Sequence, residues 1–192
     1  MSAADSLGQQ WSQPELNYFG SEGTENPKYL GEVKGRPMVE SDMPESLAYQ
    51  HPISSYGTPR RLSVYDMSDK TKRSFNDAKG LRKDEGGETG LVGVSDFYRE
   101  PPTKGWDEVS FDKEGNKTVT PGKTYQHVNI GYMQTAEGHR GGGVGRQMFD
   151  YMHNTTPKGS TLNVGKAAHD ATIHMSQKAE QERPGSIHYK IW

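Results

Sequence analysis

The sequence predicts an α+β protein, and three features predict it. Short runs that alternate apolar and polar residues fill the middle of the chain, among them Arg61-Leu62-Ser63-Val64-Tyr65, Leu91 to Tyr98 and Tyr125 to Thr135. Helical spacing is confined to the last third, where Val144, Met148, Tyr151 and Met152 fall on one face. Between the two stands Arg140-Gly141-Gly142-Gly143-Val144-Gly145-Arg146, a glycine-rich turn leading from a strand into a helix.

In chain order, residues 1–59 read as an extended arm low in regular structure. Pro14, Pro27, Pro37, Pro44, Pro52 and Pro59 interrupt any long helix. Trp11, Tyr18, Phe19, Tyr29, Tyr49 and Tyr56 are scattered without period, as in a disordered tail or in an arm that sets isolated anchors into a partner's pockets. The globular part is expected over 60–192. Residues 69–88 read as a charged, solvated helix or loop. Val109 to Phe111 and Lys117 to Val119 read as a hairpin closed by a turn through Glu114-Gly115-Asn116. After the helix from Arg146 to His153, Leu162-Asn163-Val164 is a short strand and Ala167 to Glu180 a second helix, with Ala168, Ala171, Met175 and Ala179 along one stripe. Ser186 to Trp192 is a last strand.

Composition narrows the function classes. The chain has 192 residues, of which 30% are hydrophobic, enough for one modest core. A net charge of −2 gives no electrostatic case for nucleic acid or an anionic membrane as partner. Without cysteine there is no disulfide, zinc–thiolate site or thiol nucleophile. The opening residues lack the basic and apolar regions of a signal peptide, and no run approaches the ~18 apolar residues of a membrane helix. The expected setting is the cytoplasm or the inside of a viral particle.

The glycine turn is where chemistry concentrates. Glycines let a backbone approach a ligand closely, and the free N–H groups of the following helical turn point at it. The helix dipole adds about half a positive charge there, and Arg140 and Arg146 would add two more. A phosphate-bearing cofactor suits such a site. The Walker pattern is excluded because Gly145 is followed by Arg146-Gln147 rather than Lys-Ser/Thr. A dinucleotide fingerprint belongs early in a parallel unit, not after several antiparallel-looking strands.

The spacing Arg140-x-x-Gly143-x-Gly145 resembles the acyl-CoA motif of the GNAT superfamily of N-acetyltransferases, R/Q-x-x-G-x-G/A. His139 stands where that family often has an aromatic residue, and Val144 at its aliphatic position. His169-Asp170-Ala171-Thr172-Ile173 lies over the family's Asn-x-Ala-Ala-Ile. The resemblance covers residues 125–180, and 60–124 by strand order only. It implies a mixed, mostly antiparallel, twisted sheet flanked by helices. It also implies acetyl-CoA as cofactor, with the pyrophosphate on Gly141, Gly142, Gly143, Val144, Gly145 and Arg146, beside Arg140 and His169. The pantetheine would pair with the strand edge at Met133 to Thr135. Acetyl transfer to an amine would follow.

This chain departs from the family at the chemistry. Ser176 aligns with the tyrosine that often protonates the leaving thiolate, and a serine hydroxyl is a far poorer acid than a phenol. The family's glutamate base has no assignable counterpart. His127 is the candidate base, on the strand face it would share with Asn129, Gly131 and Met133. The histidines show no His-x-x-x-His pair, and no metal is expected. The alternative to an enzyme is a structural or interaction protein, such as a phage virion component, that keeps the fold without the chemistry. Its residues 1–59 would anchor it to a protein partner or to a second copy.

Overall fold

The computed structural model describes residues 25–42, 59–69, 90–164, 170–185 and 188–191. A seven-stranded sheet runs through it in the order β1 (Glu25–Val33), β2 (Arg36–Asp42), β3 (Pro59–Tyr65), β4 (Leu91–Arg99), β9 (Val128–Thr135), β10 (Thr161–Val164) and β11 (His188–Ile191). Neighbours from β1 through β9 are antiparallel, whereas β9, β10 and β11 are parallel. Parallel neighbours need crossovers. Helix α1 (Val144–Thr155) connects β9 to β10, and α2 (Asp170–Glu182) lies between β10 and β11. The expected mixed, mostly antiparallel α+β architecture is therefore present, dominated by its sheet.

The N-terminal expectation needs revision. Residues 25–42 were expected in an arm low in regular structure, yet they form the β1–β2 hairpin. The hairpin joins the sheet through Met38↔Val64 to Asp42↔Arg60. Proline did not prevent this: Pro37 sits in β2 and Pro27 in β1, the outermost described strand, where proline is tolerated. Pro59 opens β3, and the other residues of 1–59 expected in the arm lie outside the described residues, as do nearly all of 69–88.

Residues 100–127, between β4 and β9, carry two small ribbons: β5 (Thr103–Lys104) with β8 (Thr124–Tyr125), and β6 (Glu108–Phe111) with β7 (Lys117–Thr120). The β6–β7 turn is the expected one. Asp112 Oδ1 accepts from the N–H groups of Glu114 and Asn116, and Gly115 adopts φ +83°.

The core is built where α1 crosses the sheet. Val144, Met148, Phe149 and Met152 are buried against Leu62, Val64, Phe97 and Ile130. The helix packs tightly on Gly93 of β4, where a β-carbon would stand 2.5 Å from Val144 Cγ1 and 3.3 Å from Met148 Cε. The far end of α1 is tied by polar bonds. The Tyr151 hydroxyl donates to Glu40, which also accepts from Arg60 Nε at 2.7 Å, and Arg99 Nη2 donates to Thr155 Oγ1 at 2.5 Å. Burial, then the bonded Glu40 carboxylate, push the Tyr151 phenol above its usual range. In the strands, Arg61 and Asp96 stand opposite one another as a buried pair, Nε to Oδ1 3.4 Å.

The second helix differs in its facing. Its expected stripe included Ala168, Ala171, Met175 and Ala179. Of these, Ala179 is buried, Ala171 is exposed, Met175 is half-buried, and Ala168 lies outside the described residues. The buried line is Thr172, Ser176 and Ala179. Small hydroxyl residues can bury because they bond to their own helix: Ser176 Oγ donates to the Thr172 carbonyl at 2.9 Å.

Two outcomes are expected. Gly93→Ala should destabilise the protein by about 1–3 kcal/mol through overpacking against Val144, read as a lower urea midpoint with unchanged slope. His153 is buried, and burial first, then the Arg183 charge, hold its pKa below the ordinary value. The unfolded chain therefore binds more protons, so stability is full above about pH 6.5 and falls as the pH drops towards the folded pKa. Urea melts between pH 7.5 and 5 should show that fall in the wild type and a smaller one in His153→Gln.

Candidate functional site

Strand β9 outruns its neighbour. β10 pairs with it through Leu162↔Val128, Asn163↔Asn129 and Val164↔Ile130, and then ends. β9 continues to Thr135, bonded on its other side to β4 as far as Thr135↔Gly93. Among the described residues no strand pairs with the remaining edge from Gly131 to Thr135. Such an edge offers N–H and C=O groups to an extended ligand.

A bulge decides which side chains line this edge. Phe97 stands opposite Ile130, but Asp96 stands opposite Tyr132, so Gly131 is an extra residue in β9. The strand's alternation inverts there. Met133 and Thr135 thus share a face with Val128 and Ile130, opposite Ser95 and Gly93 of β4. Simple alternation had put Met133 with His127 and Asn129. The corrected face is the one α1 covers.

After Thr135, the turn Glu137–His139 leads into the glycines. Gly141 and Gly143 take φ +78° and +89°, which a side chain would strain. Gly143 is the N-cap of α1 and its carbonyl accepts the first intrahelical bond, from Gln147 N–H at 2.9 Å. The N–H groups of Val144, Gly145 and Arg146 precede that bond and lack intrahelical acceptors.

Edge, turn and α2 enclose one cavity of about 440 Å³. Met133, Gln134, Thr135, Arg140, Gly141, Gly143, Val144, Gly145 and Arg146 line it, with His139, and with Ala171, Thr172 and Met175 from α2. Gly145 forms part of the floor. A β-carbon there would lie 3.7 Å from Thr135 Oγ1, 3.9 Å from Met175 Cε and 4.0 Å from Met133 Sδ, in contact without clash.

The cations are not equivalent. Arg146 Nε donates to Asp150 at 2.8 Å and its Nη2 to Glu182 at 3.3 Å, so its charge is engaged by two carboxylates. Arg140 is exposed and its Nε donates to the Thr135 carbonyl at 3.3 Å, closing over the end of β9. His139 Nε2 lies 2.7 Å from Asp69 Oδ2, and its Nδ1 is 3.8 Å from Asp66 Oδ2. The Ser68 hydroxyl, then the Ser68 N–H, hold the Asp66 carboxyl below its usual range.

The sequence-derived residues divide accordingly. Met133, Thr135, Arg140, Gly141, Gly143, Val144, Gly145 and Arg146 come together in the cavity. Gly142 does not line it: its carbonyl accepts from Arg36 Nη1 at 2.7 Å. His169 lies outside the described residues. Neither candidate proton carrier reaches the cavity. Ser176 is 1% exposed and bonds to its own helix. His127 precedes β9 at the end where β10 still pairs, and its Nδ1 accepts from Thr161 N–H at 3.1 Å. Gln134, His139, Ala171, Thr172 and Met175 also line the cavity, beyond the residues the motif points to. Ala171 and Thr172 lay within the stretch compared with Asn-x-Ala-Ala, so that signal was present.

The glycines, the unbonded N–H groups and the open strand edge fit a phosphate-bearing ligand with an extended amide arm. Among the described residues no group of three His, Asp or Glu side chains could hold a metal ion, and no helix is long and apolar enough to cross a membrane.

No protein-family model and no curated protein matches the chain. Among solved structures it is similar to the xEco2 acetyltransferase domain, at 9% identity and TM-score 0.43, over 88% of this chain and 96% of that one. It is also similar to the xEco2 acetyltransferase domain bound to a K105-CoA conjugate, at 11% identity and TM-score 0.38, over 79% and 92%. Likenesses this low assign neither a family nor an activity to this chain.

Gly145→Ala should separate stability from binding. The methyl group meets no clash and removes glycine's backbone freedom, so stability should hold or rise by up to about 0.5–1 kcal/mol. The same group narrows the cavity floor, so ligand affinity should fall. Thermal melts and a ligand titration on one preparation check both.

Proposed function

We propose that the protein binds acetyl-CoA in this cavity and transfers the acetyl group to an amine. One observation carries the reading: the unpaired edge of β9 opens directly onto the glycine turn within a single cavity. The N–H groups of Gly143 to Arg146 suit the pyrophosphate, and the exposed Arg140, held over the end of β9 by its bond to the Thr135 carbonyl, stands beside it. The backbone of Met133 to Thr135 suits an amide-bearing arm laid alongside as an added strand. The bound cofactor would supply an activated acyl thioester.

The residues at hand favour binding and orientation over proton transfer. The cavity lining includes no carboxylate, and His139 is engaged by Asp69. The attacking amine would therefore lose its proton to water, and kcat/KM should climb with pH towards the amine's own pKa. A plateau set by an enzyme group near neutral pH would overturn that route. The second reading is a binding or structural protein that retains the fold without catalysis. The positions of Ser176 and His127, both away from the cavity, favour it. A viral-particle setting belongs to that reading and has no support in the site.

Calorimetric titration with acetyl-CoA tests the proposal. Saturable binding by the wild type, abolished in Gly143→Trp, is expected, followed by thiol release when an amine acceptor is supplied. No heat at millimolar acetyl-CoA would end the acyl-CoA reading. Binding without thiol release across a panel of small amines and lysine peptides would favour the non-catalytic one.

A further inference from the structure

We propose that Arg36, at the start of β2, is a positioning residue of the anion site and contributes its charge to it. The proposal rests on reading the cavity as a diphosphate-binding site. Arg36 lies 106 positions before the glycine turn, yet its Nη1 donates to the Gly142 carbonyl at 2.7 Å. Its Nη2 lies 3.4 Å from where a β-carbon on Gly143 would stand.

The Gly142 carbonyl and the Gly143 N–H belong to one planar trans peptide and point in opposite directions. Drawing the carbonyl towards Arg36 turns the N–H the other way. This agrees with Gly143 lining the cavity while Gly142 does not. A cationic donor on the carbonyl also polarises the peptide, making its N–H a stronger donor to an anion.

Among the described residues the charge itself has no counterpart. Arg146 is engaged by Asp150 and Glu182, whereas among the described residues no carboxylate pairs with Arg36, and its buried Nε has no hydrogen-bond acceptor. A half-buried, uncompensated guanidinium beside helix N–H groups gains when an anion binds nearby. Its backbone is fixed independently: Gln147 Nε2, from α1, donates to the Arg36 carbonyl at 3.0 Å. The hairpin thus delivers a cation to the turn from outside the motif.

Wild type, Arg36→Met and Gln147→Ala should be titrated calorimetrically with coenzyme A and, separately, with inorganic pyrophosphate. Arg36→Met should weaken both ligands roughly tenfold, the loss of one charge-assisted interaction. Gln147→Ala removes a hairpin–helix tie but keeps the guanidinium, and should stay within about twofold of wild type. Arg36→Met binding both ligands like wild type would overturn the role of Arg36 and leave the acyl-CoA reading standing. Equal weakening in Gln147→Ala would also overturn it, because hairpin docking would then account for the effect. If the wild type binds pyrophosphate but not coenzyme A, the acyl-CoA reading falls and Arg36 is judged on pyrophosphate. Binding of neither overturns both.

Discussion

The site depends on β9 being longer than β10. Wherever two strands pair fully, their backbone groups satisfy one another and no ligand can enter. Here, among the described residues, the pairing runs no further than Val164↔Ile130, while β4 keeps β9 bonded as far as Thr135. One edge is thus bonded from behind and, among the described residues, left open in front. The extra residue at Gly131 falls at the same point and rotates the remainder of the strand, bringing Met133 and Thr135 under α1.

Helix α1 is then the second constraint. Its N-terminus can stand over the end of β9 only because Gly93 has no side chain and Val144 packs directly on it. Its other end is fixed by Tyr151 on Glu40 and by Arg99 on Thr155. A helix held at both ends presents its first N–H groups in a set direction, so little reorganisation is needed when charge arrives. The electrostatics follow from packing more than from composition. Asp150 and Glu182, side chains of α1 and α2, engage Arg146, which leaves the cationic character of the turn to the exposed Arg140, the helix N-terminus and Arg36.

Much of the architecture was legible. β3, β4, β9, β10 and both helices stand within a few residues of their expected positions, because period-2 and period-3.6 patterns report which face is buried. The same patterns failed where a local rule was overridden. One bulge reverses every later facing in β9, and Gly131 gave only an ambiguous sign of it. In α2, Thr172 and Ser176 bury in place of Ala171, and the Ser176 hydroxyl bonds to its own helix at the Thr172 carbonyl. Pro27 and Pro37 argue against strands over the β1–β2 hairpin; Pro27 is tolerated on the outermost described strand and Pro37 stands just before Met38, the first residue of β2 paired with β3, and both circumstances are properties of the sheet.

The sequence by itself determined the glycine turn, the strand before it and the helix after it, since each rests on backbone freedom and near-neighbour periodicity. It therefore determined most of the cavity lining on β9 and α1. Only the tertiary structure decided which charges remain available, that Ser176 and His127 stand away from the cavity, and that Arg36 reaches the turn. Those outcomes depend on contacts between segments far apart in the chain, as in the 106-residue separation of Arg36 from Gly142. Local spacing carries no information about such meetings; the pairing of β2 on β3 and the seating of α1 on Gly93 create them.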